Sequence, residues 1–164
     1  MRILIIKPSS LGDVIHALRV VGQMKTAGVG IKVDWVIKRG LEGALEASGL
    51  INQTFIFERG KGLYSFLQLI CDIRMTRYDF VLDLQGLLRS AILNRLSRAQ
   101  YKIGRADGRE LSTLFYKAVG EKSRKKLLHA IERMLPFLNE LGFQEYDPTL
   151  PLLFPDSNLS RAFE

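Results

Sequence analysis

The sequence predicts an α/β fold: a doubly wound parallel sheet with helices on both faces. Short apolar runs typical of buried strands alternate with segments whose apolar residues recur at helical spacing. The first run, residues 3–6, is unbroken, as expected of a strand buried on both faces of a parallel sheet. A turn of small residues then leads straight into a helix. The free N–H groups of that helix start therefore face the edge where α/β sheets bind ligands.

The other elements follow in the same alternation. We predict further strands at residues 33–37, 54–57, 79–84 and 101–104. Between them we predict helices at residues 41–47, 63–77 and 87–98, and a last amphipathic helix at residues 127–138 that Gly142 ends. The helix at 63–77 is expected to bury one apolar face, formed by Leu63, Phe66, Leu67, Ile70 and Ile73. Three aromatic residues are assigned to the core: Trp35, Phe55 and Phe57.

The chain has 164 residues, enough for one hydrophobic core. We assign residues 1–145 to a single Rossmann-like domain. Three prolines then punctuate residues 146–164, which we interpret as a linker or as the start of a further domain: Pro148, Pro151 and Pro155. No further α/β unit follows, so we expect this sequence to be one half of a larger protein.

Composition restricts the partners and the compartment. A formal net charge of +7 favours anionic ligands, but no nucleic-acid-binding motif is present, so no nucleic-acid partner is expected. Cys71 is the single cysteine, which excludes an internal disulfide and fits the cytoplasm. No apolar stretch approaches the roughly 20 residues of a membrane span. Metal-ligand spacing is also absent from the sequence, and we predict no metal site.

The segment after the first strand has two interpretations. Ser9, Ser10, Gly12 and Asp13 follow a strand and begin a helix, which indicates a ligand cleft. The same residues fit a capping box, in which Ser10 caps the helix and Asp13 closes the reciprocal bond. The turn matches neither the dinucleotide-binding fingerprint nor the P-loop. His16 lies on a neighbouring face of the same helix and either supports Asp13 or is a surface side chain.

Five separated motifs resemble the lipopolysaccharide heptosyltransferases of glycosyltransferase family 9, most closely the heptosyltransferase I type. They are K-P-S-S-L-G-D-V-I-H-A-L, V-D-W-V-I, Y-D-F-V-L-D-L-Q-G-L-L-R-S-A, G-R-E-L-S-T-L-F-Y and H-A-I-E-R. Their order resembles that of the N-terminal half of the family, over about residues 1–142. The second motif adds little, since many α/β strands resemble it.

The resemblance implies a GT-B glycosyltransferase, in which two Rossmann-like domains face each other across a cleft. Such enzymes transfer heptose from ADP-heptose to Kdo-lipid A with inversion. The N-terminal domain binds the acceptor, and a C-terminal domain, missing from this sequence, holds ADP-heptose as donor substrate. No permanently bound cofactor is implied. Because the acceptor is a lipid, the resemblance also implies peripheral contact with the inner membrane at its cytoplasmic face.

The resemblance also assigns roles to residues. Asp13 matches the proposed base that takes a proton from the acceptor hydroxyl. A carboxylate at a helix N-terminus is stabilised as the anion, which makes it a weaker base. The substrate-binding residues implied by the matching motifs and loops are Ser9, Ser10, Gly12, His16, Arg59, Lys61, Gln85, Gly86, Arg89, Arg109 and Glu110. Of these, Arg59 and Lys61 match less well, because the family loop is richer in arginine.

Two further groups keep a structural interpretation. Asp83 either faces the ligand or caps the following helix. His129, Glu132 and Arg133 fit a helix cap with salt bridges as well as they fit a site. At the level of function, the alternative to a transferase is a non-catalytic module that binds an anionic glycolipid or another anionic ligand.

Overall fold

The computed structural model describes residues 1–28, 30–58, 60–122, 132–143, 146–147 and 151–152. Its strands are β1 (Arg2–Ile6), β2 (Lys32–Lys38), β3 (Gln53–Phe57), β4 (Tyr78–Asp83), β5 (Ala99–Arg105) and β6 (Lys117–Val119). Its helices are α1 (Leu11–Ala27), α2 (Glu42–Ser48), α3 (Gly62–Arg74), α4 (Leu88–Leu96) and α5 (Leu135–Glu140), with a 3₁₀ turn at Ser112–Leu114.

The six strands form one parallel sheet in the order β3-β2-β1-β4-β5-β6. The chain builds outward from β1 to β3 and then returns to the other side of β1 with β4. The strand order therefore reverses between β1 and β4, and the carboxyl ends of these two strands border the crevice where such sheets bind ligands. The predicted doubly wound parallel sheet is confirmed.

Helices cover both faces of the sheet. One core joins β1 residues Ile3 and Ile5 to α1, α2 and α5. The other core joins Leu4 and Ile6 to α3 and α4. The four apolar side chains of β1, residues 3–6, are at most 2% exposed, which is the reason for the unbroken apolar run. Trp35, Phe55 and Phe57 are buried, as the sequence predicts.

The third helix differs from the prediction in length and in its buried face. Helix α3 ends at Arg74, three residues before the predicted end. Leu63 is 71% exposed and Leu67 is 49% exposed, although both were predicted to lie in the core. The predicted core positions Ile70 and Ile73 are buried and Phe66 packs against the core, while Leu69, which was not predicted, is buried beside them.

The end of the described chain also differs from the prediction. Residues 132–134 form a turn and α5 begins at Leu135, so no continuous helix spans residues 127–138. Residues 127, 128 and 131 of that predicted helix lie outside the described residues. Strand β6 was not predicted from the sequence. It is a three-residue edge strand that pairs with the end of β5.

Candidate functional site

A buried lysine and a solvent-reachable carboxylate meet at the carboxyl end of β1. Lys7 directly follows the strand, and its side chain is 5% exposed, whereas the Asp13 side chain is 43% exposed. Lys7 Nζ lies 3.0 Å from Asp13 Oδ2. The backbone of Lys7 is fixed as well, because its carbonyl accepts a hydrogen bond from the buried indole N–H of Trp35 at 3.1 Å. The ion pair is therefore held in a defined place at the edge of the sheet.

Asp13 also belongs to the start of α1. Ser10 and Asp13 form the predicted capping box. The Ser10 backbone N–H and the Ser10 hydroxyl each lie 3.4 Å from Asp13 Oδ2 as donors. Since Lys7 contacts the same oxygen, Oδ1 is the Asp13 oxygen without a hydrogen bond among the described residues. Capping and a role toward a ligand are therefore compatible in this carboxylate.

The two charges affect each other's protonation. Burial acts to raise the pKa of Asp13, but the hydrogen bond and the charge of Lys7, with help from Ser10, outweigh burial and lower it. Burial lowers the pKa of Lys7, while Asp13 acts in the opposite direction. Asp13 is thus an ionised carboxylate at neutral pH, held by a partly desolvated ammonium group.

A cleft of about 340 Å³ opens beside this ion pair. We name it the cationic cleft, and its lining residues are Lys7, Asp13, Gln85, Gly86, Leu87, Arg105, Asp107, Arg109 and Arg133. Four of these residues are cationic and two are carboxylates, so the lining carries a net positive charge. A ligand with carboxylate or phosphate groups fits such a lining.

Arg105 and Asp107 form the second ion pair of the cationic cleft. Arg105 Nε and Nη2 donate to the two carboxylate oxygens of Asp107 at 2.8 and 2.6 Å. The hydrogen bond from Arg105 lowers the pKa of Asp107 despite partial burial, and the charge of Arg133 acts in the same direction. This bidentate pair orients the Arg105 guanidinium at the carboxyl end of β5.

A second cleft, of about 270 Å³, lies next to the cationic cleft and shares Gln85 and Leu87 with it. We name it the mixed cleft, since its lining combines apolar and charged side chains. Its other lining residues are Pro8, Ser9, Lys38, Phe57, Arg89, Ser90, Leu93 and Glu110. The carboxyl ends of β1, β2, β3 and β4 all contribute to the mixed cleft, so both clefts lie at the same edge of the sheet.

The turn after β4 is built on a buried carboxylate. Asp83 is fully buried and accepts hydrogen bonds from the backbone N–H groups of Gln85 and Gly86 and from the Ser90 hydroxyl, each at 2.9 Å. Burial raises the pKa of Asp83 to about 6, against these three hydrogen bonds. Asp83 therefore supports the turn from beneath, and this turn places Gln85 and Gly86 in the cleft lining. Asp83 does not cap the following helix, because the N-cap of α4 is Leu87 and the N–H groups that Asp83 accepts belong to the turn before it.

Arg109 and Glu110 lie on a loop that packs against this turn. The Arg109 N–H donates to the Gly86 carbonyl at 2.7 Å, while its side chain lines the cationic cleft. Glu110 has a φ of 57°, and its carboxylate accepts the N–H of Leu88 at 3.1 Å. Glu110 thus caps the first turn of α4 and also lines the mixed cleft.

The structure divides the predicted site residues into groups. Asp13, Gln85, Gly86 and Arg109 line the cationic cleft, whereas Ser9, Gln85, Arg89 and Glu110 line the mixed cleft. Ser10 and Gly12 are exposed at the start of α1, beside the Lys7–Asp13 pair.

The remaining predicted residues do not join these clefts. His16 lies half-buried on α1 and lines neither cleft. Lys61 forms an ion pair with Glu58 at 3.2 Å and also lines neither. Arg59 and His129 lie outside the described residues.

Four charged residues of the cationic cleft were not among the predicted catalytic and substrate-binding residues: Lys7, Arg105, Asp107 and Arg133. Two of them had a signal in the sequence, because Lys7 and Arg105 are charged residues at the ends of apolar strands. Arg133 belongs to the H-A-I-E-R motif, for which the sequence left a helix cap and a site as alternatives. It lies in the turn before α5 and reaches the cleft only through the tertiary structure.

Two further kinds of feature are absent from the described part of the chain. It contains no helix long and apolar enough to cross a membrane. In the same residues, no group of three or more His, Cys, Asp or Glu side chains is placed to hold a metal ion.

Together, the fold and the clefts define a Rossmann-like domain with charged clefts at the switch point of its sheet. Residues 66–163 match the family model of glycosyltransferase family 9 (heptosyltransferase). The chain belongs to this family, so the resemblance seen in the sequence motifs is confirmed.

Individual relatives agree with the family match. The chain is 30% identical over 161 residues to lipopolysaccharide heptosyltransferase 1 of Salmonella typhimurium, covering 88% of this chain and 49% of that protein. It is 32% identical over 173 residues to the protein of the same name from Pseudomonas aeruginosa, covering 98% of this chain and 47% of that protein. The chain thus spans about half the length of these relatives.

Solved structures show the same relationship. The Escherichia coli heptosyltransferase WaaC with ADP-2-deoxy-2-fluoro heptose superposes with a TM-score of 0.75 at 27% identity, covering 99% of this chain and 54% of that chain. A glycosyl transferase family 9 protein from Veillonella parvula has a TM-score of 0.74 at 19% identity, covering 95% of this chain and 45% of that chain. The second likeness concerns the fold alone. The chain has the Rossmann-like fold found in GT-B heptosyltransferases.

Proposed function

We propose that this chain is the acceptor-binding half of an inverting glycosyltransferase that transfers heptose from ADP-heptose to the Kdo-lipid A inner core of lipopolysaccharide. The observation that carries the proposal is the Asp13 carboxylate, held by buried Lys7 beside a cationic cleft at the switch point of the sheet. Family membership supplies the reaction class. The cationic cleft supplies positively charged side chains that would bind the anionic groups of the acceptor.

Asp13 is the proposed general base. Inverting transfer is a single displacement, in which the acceptor oxygen forms a bond to the anomeric carbon while the bond from that carbon to the diphosphate breaks. The base takes the acceptor hydroxyl proton in this step. Asp13 Oδ1 is the oxygen available to the hydroxyl, because Lys7 and Ser10 contact Oδ2.

A lowered pKa makes Asp13 a weak base toward a free hydroxyl. The acceptor hydroxyl becomes more acidic as its bond to the anomeric carbon forms, so the proton moves late in the displacement. Asp13 is ionised at neutral pH, which is the form that a general base requires.

The cationic cleft is the proposed acceptor site. Kdo carries a carboxylate and lipid A carries phosphates, and guanidinium groups bind both bidentately. Arg109 and Arg133 line the cleft and form no ion pair with a described carboxylate, whereas Arg105 is already paired with Asp107. We assign Arg109 and Arg133 to contacts with acceptor anions, and Ser9, Gln85 and Arg89 to the adjoining part of the acceptor in the mixed cleft.

The donor site is assigned to a second domain, with residues 146–164 as the linker toward it and residues 1–145 as the acceptor domain. This assignment follows the relatives, about half of whose length the chain covers. The structures of Escherichia coli WaaC hold ADP or an ADP-heptose analogue, which supports ADP-heptose as donor substrate. We place the protein at the cytoplasmic face of the inner membrane, where its acceptor would be embedded.

Acceptor binding is tested by calorimetric titration of the 164-residue chain with deacylated Kdo-lipid A at two salt concentrations. We expect saturable one-to-one binding that weakens as salt rises, and weaker binding for Arg109→Gln. The matched control is Lys32→Gln, which removes an exposed charge at the amino end of β2 and leaves binding unchanged. A folded chain that does not bind the acceptor would contradict the proposal.

The chemical role of Asp13 needs a donor-binding domain. We would join this chain to the C-terminal half of the Pseudomonas aeruginosa relative and compare Asp13→Asn with the unsubstituted fusion. Loss of a general base lowers kcat by about 10²- to 10⁴-fold. Near-normal kcat in Asp13→Asn would remove Asp13 from the chemistry, and retained binding without turnover in any fusion would favour a non-catalytic module.

A further inference from the structure

The outward face of α3 is apolar, although no described residue covers it. Leu63 is 71% exposed, Tyr64 80%, Leu67 49% and Met75 84%. Cys71 is exposed between them. We name these five side chains the α3 stripe. Exposed apolar side chains are ordinary when scattered, but a contiguous row on one helix indicates an interaction surface.

Helical geometry shows that the row is contiguous. Leu63, Leu67, Cys71 and Met75 follow one another every four residues, and Tyr64 lies beside them. The opposite side of α3 is packed into the core through Leu69, Ile70 and Ile73. A helix that is apolar on both sides is typical of a buried helix, so something outside the described chain is expected to cover the stripe.

Cations gather beside the stripe at the ends of α3 and α4. Arg74 Nη1 donates to the Leu96 carbonyl at 2.7 Å, and Lys102 Nζ donates to the Arg95 carbonyl at 2.6 Å. These contacts bring three positive charges together. Burial lowers the pKa of Lys102, and the charges of Arg95 and Arg74 lower it further.

Two more exposed cations adjoin this group, since the Tyr78 N–H donates to the Arg98 carbonyl at 2.8 Å and Arg77 precedes Tyr78. We name the five side chains the basic corner: Arg74, Arg77, Arg95, Arg98 and Lys102. Among the described residues none of them forms an ion pair. Asp72 is an exposed carboxylate on α3 and lies at the border of the stripe.

The stripe runs from the ligand clefts to the basic corner. Helix α3 begins after β3, at the carboxyl edge of the sheet, and Phe66 near its start contacts Phe57 ring to edge at 6.3 Å. Phe57 lines the mixed cleft. A flat partner on the α3 stripe would therefore lie next to the open side of the proposed acceptor site.

We propose that the α3 stripe and the basic corner together dock the protein on the anionic surface of a lipid bilayer. Apolar side chains enter the boundary between headgroups and acyl chains, while lysine and arginine attract anionic headgroups. The α3 stripe matches the apolar boundary of such a surface, and the unpaired cations of the basic corner match its negative charge. The inference rests on the proposed function, because a lipid-anchored acceptor lies in the same surface and reaches the cleft from the side of α3.

The test is co-sedimentation of the 164-residue chain with vesicles of phosphatidylglycerol and phosphatidylethanolamine, compared with vesicles of phosphatidylcholine alone. We expect binding to the anionic vesicles that weakens with salt, and little binding to phosphatidylcholine. Arg95→Gln and Arg98→Gln each lower the partition coefficient roughly fivefold. Leu67→Asp lowers it at least as much. The control variants Lys32→Gln and Leu114→Asp alter exposed residues elsewhere and leave it unchanged.

The single cysteine provides a direct readout of insertion. An environment-sensitive fluorophore on Cys71 is expected to shift to the blue with anionic vesicles. The same fluorophore on Thr26→Cys in a Cys71→Ser background, at an exposed position of α1, is expected not to shift.

Three results would overturn the proposal: no vesicle binding, equal loss of binding in the control variants, or a dimer that Leu67→Asp dissociates. The last result would assign the surface to a second copy of the chain. Titration of Leu67→Asp with deacylated Kdo-lipid A separates the two proposals. If soluble acceptor binds but vesicles do not, the bilayer surface alone is wrong. If vesicles bind but soluble acceptor does not, the acceptor site is wrong.

Discussion

Lys7 shows how one buried charge defines a site. Its side chain is almost completely buried, and moving an ammonium group out of water is unfavourable unless a partner compensates. Asp13 is that partner at 3.0 Å, and it also lies within reach of solvent and of the cationic cleft. The pair therefore places a fixed, ionised carboxylate at the carboxyl end of β1.

Lys7→Met is expected to raise the pKa of Asp13. Burial then acts on the carboxylate with only Ser10 to oppose it. In the unsubstituted chain the lowered pKa means that Asp13 contributes stability above its unfolded pKa and loses it as pH falls. Because this contribution depends on how far the folded pKa lies below the unfolded pKa, the variant should show a smaller fall in stability as pH falls. Carboxyl carbon NMR of Asp13 across a pH titration measures the shift.

Lys32→Met is the matched control. Lys32 is exposed at the amino end of β2, whereas Lys7 follows the carboxyl end of the neighbouring strand β1. The control should leave the Asp13 titration unchanged. An unaltered Asp13 pKa in Lys7→Met would show that Lys7 does not control the ionisation of this carboxylate.

At the scale of elements, glycine occupies the two predicted site positions 12 and 86 for different physical reasons. Gly12 lies in the first turn of α1, and an added Cβ there would meet no atom within 4 Å. Gly86 has a φ of 69°, and a Cβ there would lie 3.3 Å from the Gly108 Cα. The fold therefore requires a glycine after β4, whereas the open space at Gly12 is available to a ligand.

Gly86→Ala is expected to lower Tm by about 2 to 8 °C, because a positive φ costs a residue with a side chain roughly 1–2 kcal/mol. Gly12→Ala should leave Tm unchanged or slightly raised, since alanine favours a helix. It should still weaken binding of deacylated Kdo-lipid A, because the methyl group occupies space beside Asp13. Calorimetry measures both quantities, and full acceptor affinity in Gly12→Ala would remove Gly12 from the site.

At the scale of the whole molecule, Asp83 makes stability depend on pH. Its carboxyl is fully buried, and burial raises its pKa from 3.8 to about 6. Between these values the folded chain binds more protons at this group than the unfolded chain does. The contribution of Asp83 therefore falls as pH rises from about 4 to about 6.

We expect Asp83→Asn to remove this fall, which amounts to roughly 3 kcal/mol over the interval. Asparagine keeps an oxygen for the N–H groups of Gln85 and Gly86, so the turn after β4 is preserved. Urea unfolding at pH 4, 5, 6 and 7 gives the free energy of unfolding of both proteins. Parallel pH profiles for the two would contradict the role assigned to Asp83.

Local patterns in the sequence predicted most of the fold. The apolar run of β1 and the alternation that follows it identified five of the strands and the parallel sheet, because burial on both faces demands such runs. Strand β6 was missed, since three residues at an edge carry too little pattern to be recognised. The predicted face of α3 was right for Phe66, Ile70 and Ile73 but wrong for Leu63 and Leu67, because both sides of that helix are apolar and periodicity alone cannot distinguish them.

The sequence by itself determined the family and the place of the site, since Asp13, Gln85 and Arg109 belong to motifs that follow strands or turns. Only the tertiary structure decided which charges meet there. Lys7 pairs with Asp13, Arg105 pairs with Asp107, and Arg133 reaches the same cleft from the turn before α5. The two pairs and Arg133 are distant from one another along the chain, and only the packing of the helices against the sheet brings them to one cleft.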